Sequence, residues 1–264
     1  FQDGGSYSDK YSVYQYKNNL TTYMMANCSD DSICKDVNMR NAIMHAVDTK
    51  GLQAALGGEK VAARTNCLGS DVFSDYNPEW DTWDNYQTAS ADADAIQKYL
   101  DAAGYNGETI TILAVQQFQN YCQIVQSMLL NYGIKSEITL YDYGTYVTTK
   151  ANPASWDLVI DQMAASDYLV NVWSHAMDVS NTGTGLTDNY VSDSEWQEIL
   201  DKCKVSETHT TENMNAWWQH CVDNAYLMGL AVEYVNIVYP ENMTSILMTD
   251  KNHVVFGGCT YKEK

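Results

Sequence analysis

The stretch ETITILAVQQFQNYCQIVQSMLLNYGIKSEITLYDYGTYVTTKANPASWDLVIDQM, residues 108–163, decides the fold of this chain. Apolar and β-branched residues dominate three short runs within it, which predict β-strands. Between the first two runs, residues 116–132 carry apolar side chains at helical spacing and are followed by Gly133, so they predict a helix. A shorter helix is expected to end at Asn152. The three predicted strands are ETITILAV (108–115), EITLYD (137–142) and WDLVIDQM (156–163).

The order β-α-β-α-β predicts an α/β fold with a mixed, mainly parallel sheet flanked by helices. Outside this stretch, residues 59–90 contain Gly, Asn and Pro78 without a clean period, which predicts a long ordered loop. After residue 227 the chain consists of β-type runs joined by short turns. Apolar patterns predict one further strand at 22–27 and helices at 36–56, 92–103, 193–205 and 211–227.

Composition limits the class of protein. The 264 residues are 45% hydrophobic and 19% charged, which is ordinary for one large globular domain or two smaller ones. Fifteen basic and 34 acidic residues give a formal net charge of −19. A surface this negative repels phosphate backbones, so we expect no nucleic-acid partner. The segment 1–10 lacks the basic start and apolar core of a signal peptide, so we expect a mature form or a fragment.

Seven cysteines leave their pairing open. None forms a CxxC pair, and we expect neither a metal nor a cofactor in this chain. Cys28 and Cys34 could close a small disulfide ring across a polar loop, and Cys203 could meet Cys221 across two successive helices. Cys122 falls on the apolar face of a predicted helix, where a buried free thiol is the simpler interpretation.

The stretch VNMRNAIMHAVDTKGL (37–52) resembles a helix of a known family. Solute-binding protein family 5, the dipeptide- and oligopeptide-binding proteins of ABC importers, has a helix reading roughly V-R-x-A-[IL]-x-x-A-[IV]-D-[RK]. The matching residues are Arg40, Ala42, Ile43, Ala46, Val47 and Asp48. Four further segments resemble family landmarks in the same order: TYMMAN (22–27), ADAIQKYLDAAGY (93–105), IVQSMLLNYGIKSEITLYDYGTY (124–146) and WDLVIDQMAASDY (156–168). The ordered set covers roughly residues 20–230 and is a specific signal.

The resemblance implies a lobe of the type II periplasmic-binding-protein fold. Residues 1–21 would lead in from an N-terminal lobe, 22–230 would form the C-terminal α/β lobe, and the β-type tail 231–264 would cross back toward the N-terminal lobe. The implied function is the extracytoplasmic solute-binding component of an ABC importer, either periplasmic or lipid-anchored at the cell surface. We expect a monomer without enzymatic activity that binds an oligopeptide between two lobes and delivers it to a membrane permease and its ATPase.

Two acidic positions are candidates for ligand binding. By the resemblance, Asp167 stands where peptide-binding members place the aspartate that meets the ligand's α-ammonium group, and Tyr168 follows it. Ala164 replaces the tryptophan of the family's W-x-A-D-Y loop, so a turn aspartate that caps the next segment is the alternative. Asp161 lies within a predicted strand between apolar residues, where a carboxylate needs either a partner or a cleft.

Aromatic residues supply the other candidates. Tyr143 and Tyr146 fall where the family places aromatic groups after the strand, and half-buried packing on a short helix is their alternative. Trp80 and Trp83 lie in the long loop with Tyr86 and could stack on a solute or cover the core. Trp173 has the same two interpretations.

Rival functions differ in class. A member of the same family could bind an oligosaccharide or another small solute instead of a peptide. An acidic secreted hydrolase would need paired carboxylates, for which Asp81 with Asp84 and Asp92 with Asp94 are the nearest candidates. Both pairs lie in polar, helix-starting surroundings where capping aspartates are expected.

Overall fold

The computed structural model describes residue 7 and residues 9–65, 71, 73–163, 168–177, 189–249 and 254–262. The chain divides into two compact units. The large unit comprises residues 19–232, and the ribbon unit comprises residues 1–18 with 233–264. Each unit is described by itself below.

Over residues 110–163 helices alternate with strands, as the sequence predicts. The helices of the described chain are α1 (Val37–Ala46), α2 (Thr49–Leu56), α3 (Ala93–Ala103), α4 (Gln119–Leu130), α5 (Tyr143–Lys150), α6 (Leu169–Met177), α7 (Ser194–Lys204) and α8 (Thr211–Asp223). Among the described elements, α1 and α2, and likewise α6 to α8, follow one another directly. Short 3-10 helices lie at Ile33–Lys35, Pro78–Thr82, Gln116–Phe118, Pro153–Ser155 and Phe256–Gly258.

The strands follow the three predicted runs and add several others. They are β1 (Tyr11–Lys17), β2 (Thr21–Ala26), β3 (Ala62–Ala63), β4 (Ile110–Val115), β5 (Ser136–Tyr141), β6 (Leu158–Met163), β7 (Leu227–Pro240), β8 (Met243–Ser245) and β9 (Thr260–Tyr261).

The sheet of the large unit is mixed, with parallel strands at its core. The strand order is β7-β2-β6-β4-β5. β4 pairs in parallel with β5, from Ile110 opposite Ser136, and with β6, from Ile112 opposite Leu158. β2 is antiparallel to both β6 and β7. The predicted α/β fold, a mixed sheet flanked by helices, is therefore confirmed.

The two parallel crossovers place helices on both faces of this sheet. The β4–α4–β5 connection runs toward one edge, and the β5–α5–β6 connection runs back across β4. Because such connections are right-handed, helices of crossovers that run in opposite directions lie on opposite faces. Both faces of the central strands are thus covered, which explains why every residue of β2 and most of β4 are buried.

The prediction of one helix over residues 36–56 is wrong. The chain breaks at Val47 and Asp48, both of which have extended backbone angles. The Asp48 carboxylate accepts a hydrogen bond from Lys50 N at 2.9 Å and so begins a second helix, α2. The apolar periodicity alone predicts one continuous helix, but a capping aspartate within it divides that helix into α1 and α2.

The predicted helix over 211–227 also ends early. Its last helical residue is Asp223, and Ala225 has a φ of 49°, in the left-handed region. β7 then begins at Leu227. Residues that the apolar pattern assigns to the end of the helix belong instead to a turn and to the first residue of a buried strand.

No disulfide links the six cysteines that the structure describes. The proposed ring between Cys28 and Cys34 and the proposed pairing of Cys203 with Cys221 are therefore not formed. Cys122 is a buried free thiol, as its position on the apolar face predicts, and burial raises its pKa to about 12. Cys67 lies outside the described residues.

The ribbon unit contains exposed β-structure. β1 is antiparallel to the C-terminal part of β7, from Tyr11 opposite Pro240 to Lys17 opposite Tyr234, and β8 pairs with β9. Among its described residues none is buried. In neither unit does the described chain contain a helix long and apolar enough to cross a membrane.

One buried side chain, Gln87, completes the hydrogen bonding of β7 at a bulge. Between Thr22 and Tyr23 the partner on β7 shifts from Ala231 to Gly229, so β7 carries one extra residue. Gln87 Nε2 donates to Gly229 O at 2.7 Å, and its Oε1 accepts from Gly229 N at 2.9 Å. The side-chain amide thus pairs with Gly229 as the backbone of a neighbouring strand would.

Gln87→Ala should lower the free energy of unfolding by about 3 kcal/mol, because each buried backbone group left without a partner costs about 1–3 kcal/mol. Urea denaturation measures the change. The matched control is Gln97→Ala on α3, whose Nε2 contacts the exposed Asp101 at 2.8 Å. The control should stay within about 0.5 kcal/mol of wild type. Equal effects of the two substitutions would contradict the role of Gln87.

A carboxylate at the start of α7 ties this helix to the end of α8. Asp193 Oδ1 accepts from Glu195 N at 3.0 Å and Trp196 N at 3.1 Å. Its Oδ2 lies 2.7 Å from His220 Nε2 and accepts from Tyr226 Oη at 2.7 Å. Partial burial raises the pKa of Asp193, but hydrogen bonds from His220, Tyr226 and Trp196 outweigh it and hold the pKa below the ordinary value of 3.8.

The stabilisation by Asp193 should depend on pH in a defined direction. Because the folded-state pKa is depressed, the contribution is complete above the unfolded-state pKa of about 3.9 and is lost as the pH falls through the folded-state pKa. The difference in unfolding free energy between wild type and Asp193→Asn should therefore shrink as the pH falls below about 4. Urea titrations at several pH values test this, and a difference independent of pH would refute it.

Candidate functional site

The carboxyl ends of the parallel strands present a set of polar and aromatic residues. β4, β5 and β6 end side by side, and Gln116, Gln117 and Tyr143 follow the first two. All three of these side chains are exposed. In open α/β sheets, ligands bind outside this edge, between strands whose following helices lie on opposite faces. β4 and β5 are such a pair, so we take this carboxyl edge as the candidate site.

Two predicted site residues, Asp161 and Tyr146, meet at this edge. Tyr146 Oη donates to Asp161 Oδ2 at 2.5 Å. Lys150 Nζ lies 3.7 Å from the same oxygen and 4.9 Å from the centre of the Tyr146 ring. The exposed fractions of the Lys150 and Asp161 side chains are 6% and 18%. Asp161 therefore has the partners that a strand carboxylate among apolar residues requires.

The element that carries Lys150 explains why this cluster forms. Tyr146 and Lys150 are four residues apart on α5, so both point to the same side of that helix. Trp156 Nε1 and Tyr190 Oη both donate to Lys150 O, at 3.2 Å and 3.0 Å. These bonds anchor the last turn of α5 beside β6. The cluster thus holds the end of β6 against α5, and the charges of Lys150 and Asp161 offset each other.

The other two tyrosines that the sequence predicts for the site, Tyr143 and Tyr168, are exposed. Tyr143, the first residue of α5, is 68% exposed, and Tyr168, just before α6, is 45% exposed. Tyr168 packs edge-on against His209, with ring centres 5.6 Å apart. Asp167, the predicted partner of the ligand's ammonium group, lies outside the described residues, as do residues 164–166.

The three tryptophans predicted for the site pack in or against the hydrophobic core. Trp80 is buried and donates from Nε1 to Asn215 Oδ1 at 2.7 Å, while Trp83 is half-buried against the core. Trp173 is buried edge-on to Tyr23, with ring centres 5.3 Å apart. In the described structure Trp80 and Trp173 therefore occupy core positions, which was one of the two interpretations of each.

Sequence reasoning missed Gln116, Gln117 and Lys150. The glutamine pair stands directly between a strand and a helix, and that position was the available signal. Lys150 gave a weaker one, since its spacing from Tyr146 places both on one helix face. Across the described ranges, no three His, Cys, Asp or Glu side chains are grouped so that they could hold a metal ion.

A comparison with protein families agrees with this geometry. The sequence model of bacterial extracellular solute-binding proteins, family 5 (middle region), matches residues 5–185, about two thirds of the chain. The chain belongs to solute-binding protein family 5. The resemblance seen in the sequence is therefore confirmed. Members of this family are extracellular solute-binding proteins. No curated protein matches the chain.

Solved structures show the same fold at low sequence identity. HbpA2 from Haemophilus parasuis is 15% identical with a TM-score of 0.79, and the match covers 96% of this chain and 50% of that one. A dipeptide-binding protein from a Pseudoalteromonas species, in complex with Met-Leu, is 18% identical with a TM-score of 0.74, covering 96% and 50%. The oligopeptide-binding protein AppA from Bacillus subtilis, in complex with a nonapeptide, is 14% identical with a TM-score of 0.72, covering 91% and 50%.

These matches establish the type II periplasmic-binding-protein fold that the sequence predicts. The family 5 chain spans about half the length of the solved structures that it matches. The match thus covers only part of each of those larger structures.

Lys150→Met should lower the free energy of unfolding by about 3 kcal/mol, because it leaves the half-buried Asp161 carboxylate without its cation. Urea denaturation measures the loss. The double variant Lys150→Met, Asp161→Asn should recover most of it, since the amide oxygen still accepts from Tyr146. The control is Lys262→Met, from an exposed pair with Glu241 at 3.6 Å, where about 0.5 kcal/mol or less is expected. No recovery in the double variant would argue against the ion pair.

Proposed function

We propose that this family 5 chain belongs to the solute-binding component of an ABC importer and that its solute is an oligopeptide. The observation that carries the proposal is the family match over residues 5–185. Two of the matched structures support the choice of solute, because they are complexes with a dipeptide and with a nonapeptide. The proposed partners are a membrane permease and its ATPase, and the proposed location is extracytoplasmic, either periplasmic or lipid-anchored.

Within this proposal, the residues at the carboxyl edge divide into two groups. Asp167 would meet the α-ammonium group of the peptide through a charge-assisted hydrogen bond. Tyr143 and Tyr168 would offer aromatic surface to the peptide, and their exposure supports that role. Asp161 and Tyr146 would act from behind this surface, because their polar atoms already bond to each other and to Lys150.

The ribbon unit would connect to a second lobe. Residues 1–21 and 231–264 are proposed to pass between this lobe and an N-terminal one, so that the protein binds its solute between the two. The composition of the ribbon surface supports this, since several large apolar side chains are exposed there. They include Val13, Tyr14, Val238, Leu247 and Phe256.

An acidic hydrolase finds no support in the structure. Asp92 caps α3 by accepting from Asp94 N at 2.9 Å, and Asp81 accepts a hydrogen bond from Tyr76 Oη. In each of the two carboxylate pairs that a hydrolase would use, one carboxylate therefore has an ordinary structural role. The matched family and structures are binding proteins.

Peptide binding can be tested by isothermal titration calorimetry. The protein, with any polypeptide that its gene encodes beyond these 264 residues, is titrated with a random mixture of unblocked tri- to pentapeptides. N-acetylation of the mixture should weaken binding about tenfold or more, because it removes the charge that Asp167 would bind. Asp167→Asn should weaken the unblocked mixture by a similar factor and abolish the discrimination. Asp101→Asn on the exposed face of α3 is the control and should change nothing.

Other outcomes separate the alternatives. Binding of an oligosaccharide panel without any response to peptides would keep the solute-binding function and reject the peptide. Peptide binding that is indifferent to both N-acetylation and Asp167→Asn would reject the role of Asp167 alone.

A further inference from the structure

A buried carboxylate in the long loop reaches the helix that follows Tyr168. Asp75 lies 94 positions before α6, and the exposed fraction of its side chain is 4%. Its Oδ1 accepts from Leu169 N at 2.7 Å, and its Oδ2 lies 3.4 Å from Val170 N. These are the first two N–H groups of α6, which have no partner within the helix. Asp75 therefore caps α6 from a distant part of the chain.

The same carboxylate faces a histidine that packs on Tyr168. His209 Nε2 lies 3.7 Å from Asp75 Oδ2. His209 Nδ1 lies 2.6 Å from Cys203 O, and because a carbonyl only accepts, Nδ1 is the donor. The hydrogen bond of Nδ1 fixes the imidazole, and Nε2 forms an ion pair with Asp75 when the ring is protonated. Its ring meets the Tyr168 ring edge-on, at 79° and 5.6 Å.

We infer that Asp75 and His209 are positioning residues that set the place of Tyr168 at the solute site, an inference that rests on the function proposed above. Asp75 fixes the backbone immediately after Tyr168, and His209 fixes one side of its ring. One carboxylate thus caps the helix that begins after Tyr168 and faces the histidine that packs on the Tyr168 ring. Neither Asp75 nor His209 needs to touch the solute.

The effect on peptide affinity depends on the fraction of molecules in which the start of α6 is in place. If the start of α6 is in place in only a fraction of molecules, the apparent Kd rises by the inverse of that fraction. Loss of the cap should reduce the fraction to about one tenth, so Asp75→Ala should raise the apparent Kd about tenfold. Asp75→Asn retains an oxygen that accepts from Leu169 and Val170, and it should bind within about twofold of wild type.

The chain supplies a matched control. Asp193 also caps a helix and also contacts a histidine, but it does so at α7, with His220. Asp193→Ala should lower the melting temperature yet leave the apparent Kd within about twofold of wild type. If binding responds to a general loss of stability, both variants should have a raised apparent Kd. If it responds to the lost positioning of Tyr168, only the Asp75 variant should.

The experiment is calorimetric titration with the unblocked peptide mixture described above, at a temperature where near-UV circular dichroism shows every variant folded. His209→Ala, which leaves the cap of α6 intact, should weaken binding severalfold, and its effect should not add to that of Asp75→Ala. If Asp75→Ala does not fold, His209→Ala decides the question in its place. Wild-type affinity in a folded Asp75→Ala or His209→Ala variant would overturn the inference.

Failure of the proposed function would look different. A wild-type protein that binds no peptide rejects the function itself. Tyr168→Ala with unchanged affinity rejects the role of Tyr168 at the site, and with it the inference, while leaving peptide binding intact. Weakening by Tyr168→Ala and by Asp75→Ala, with rescue by Asp75→Asn, supports both.

Discussion

Buried amide side chains complete the hydrogen bonding of the central sheet at its strand ends, and the rest of the structure depends on them. Asn27 Nδ2 donates to Pro153 O and Trp156 O at 2.8 and 2.7 Å, which joins the end of β2 to the start of β6. Asn189 Nδ2 donates to Ala26 O and Tyr226 O at 2.8 and 3.0 Å, which joins β2 to β7. Gln87 does the same at the bulge of β7. An unpaired backbone group at any of these places would be expensive in so apolar a setting. These bonds fix the antiparallel strands beside β6, and the parallel strands β6, β4 and β5 present their carboxyl ends together.

Sequence reasoning captures what is local in this fold. The strand and helix alternation over residues 108–163 is visible because apolar periodicity is set within each element. The break between α1 and α2 is not, because one capping side chain at Asp48 overrides a continuous pattern. At the site, the strand ends and Asp161 could be predicted. The contacts of Lys150 with Asp161 and of Asp75 with Leu169 could not, since the partners are 11 and 94 positions apart and nothing in a single sequence pairs them.

Very different sequences reach the same fold. The three solved structures compared above are only 14–18% identical to this chain, yet their TM-scores lie between 0.72 and 0.79. Apolar volume at the core positions can be supplied by many residues. The polar side chains that cap helices and complete strands are more demanding, because each must reach a defined backbone group. The ion pair of Lys150 and Asp161 and the cap by Asp75 stabilise the elements from which exposed tyrosines project.

β7 runs from the large unit into the ribbon unit, with the division between Val232 and Glu233. Its first six residues, Leu227–Val232, are buried, whereas its last eight are exposed or half-buried. The first part is paired with β2 and the last part with β1. Local opening is easiest where few apolar contacts protect the backbone, and such regions unfold as separate cooperative segments. Amide protons along β7 should therefore exchange with deuterium at two very different rates, with the change near Glu233. One continuous strand thus belongs to two compact units, and its exposed part can fray while its buried part stays paired with β2.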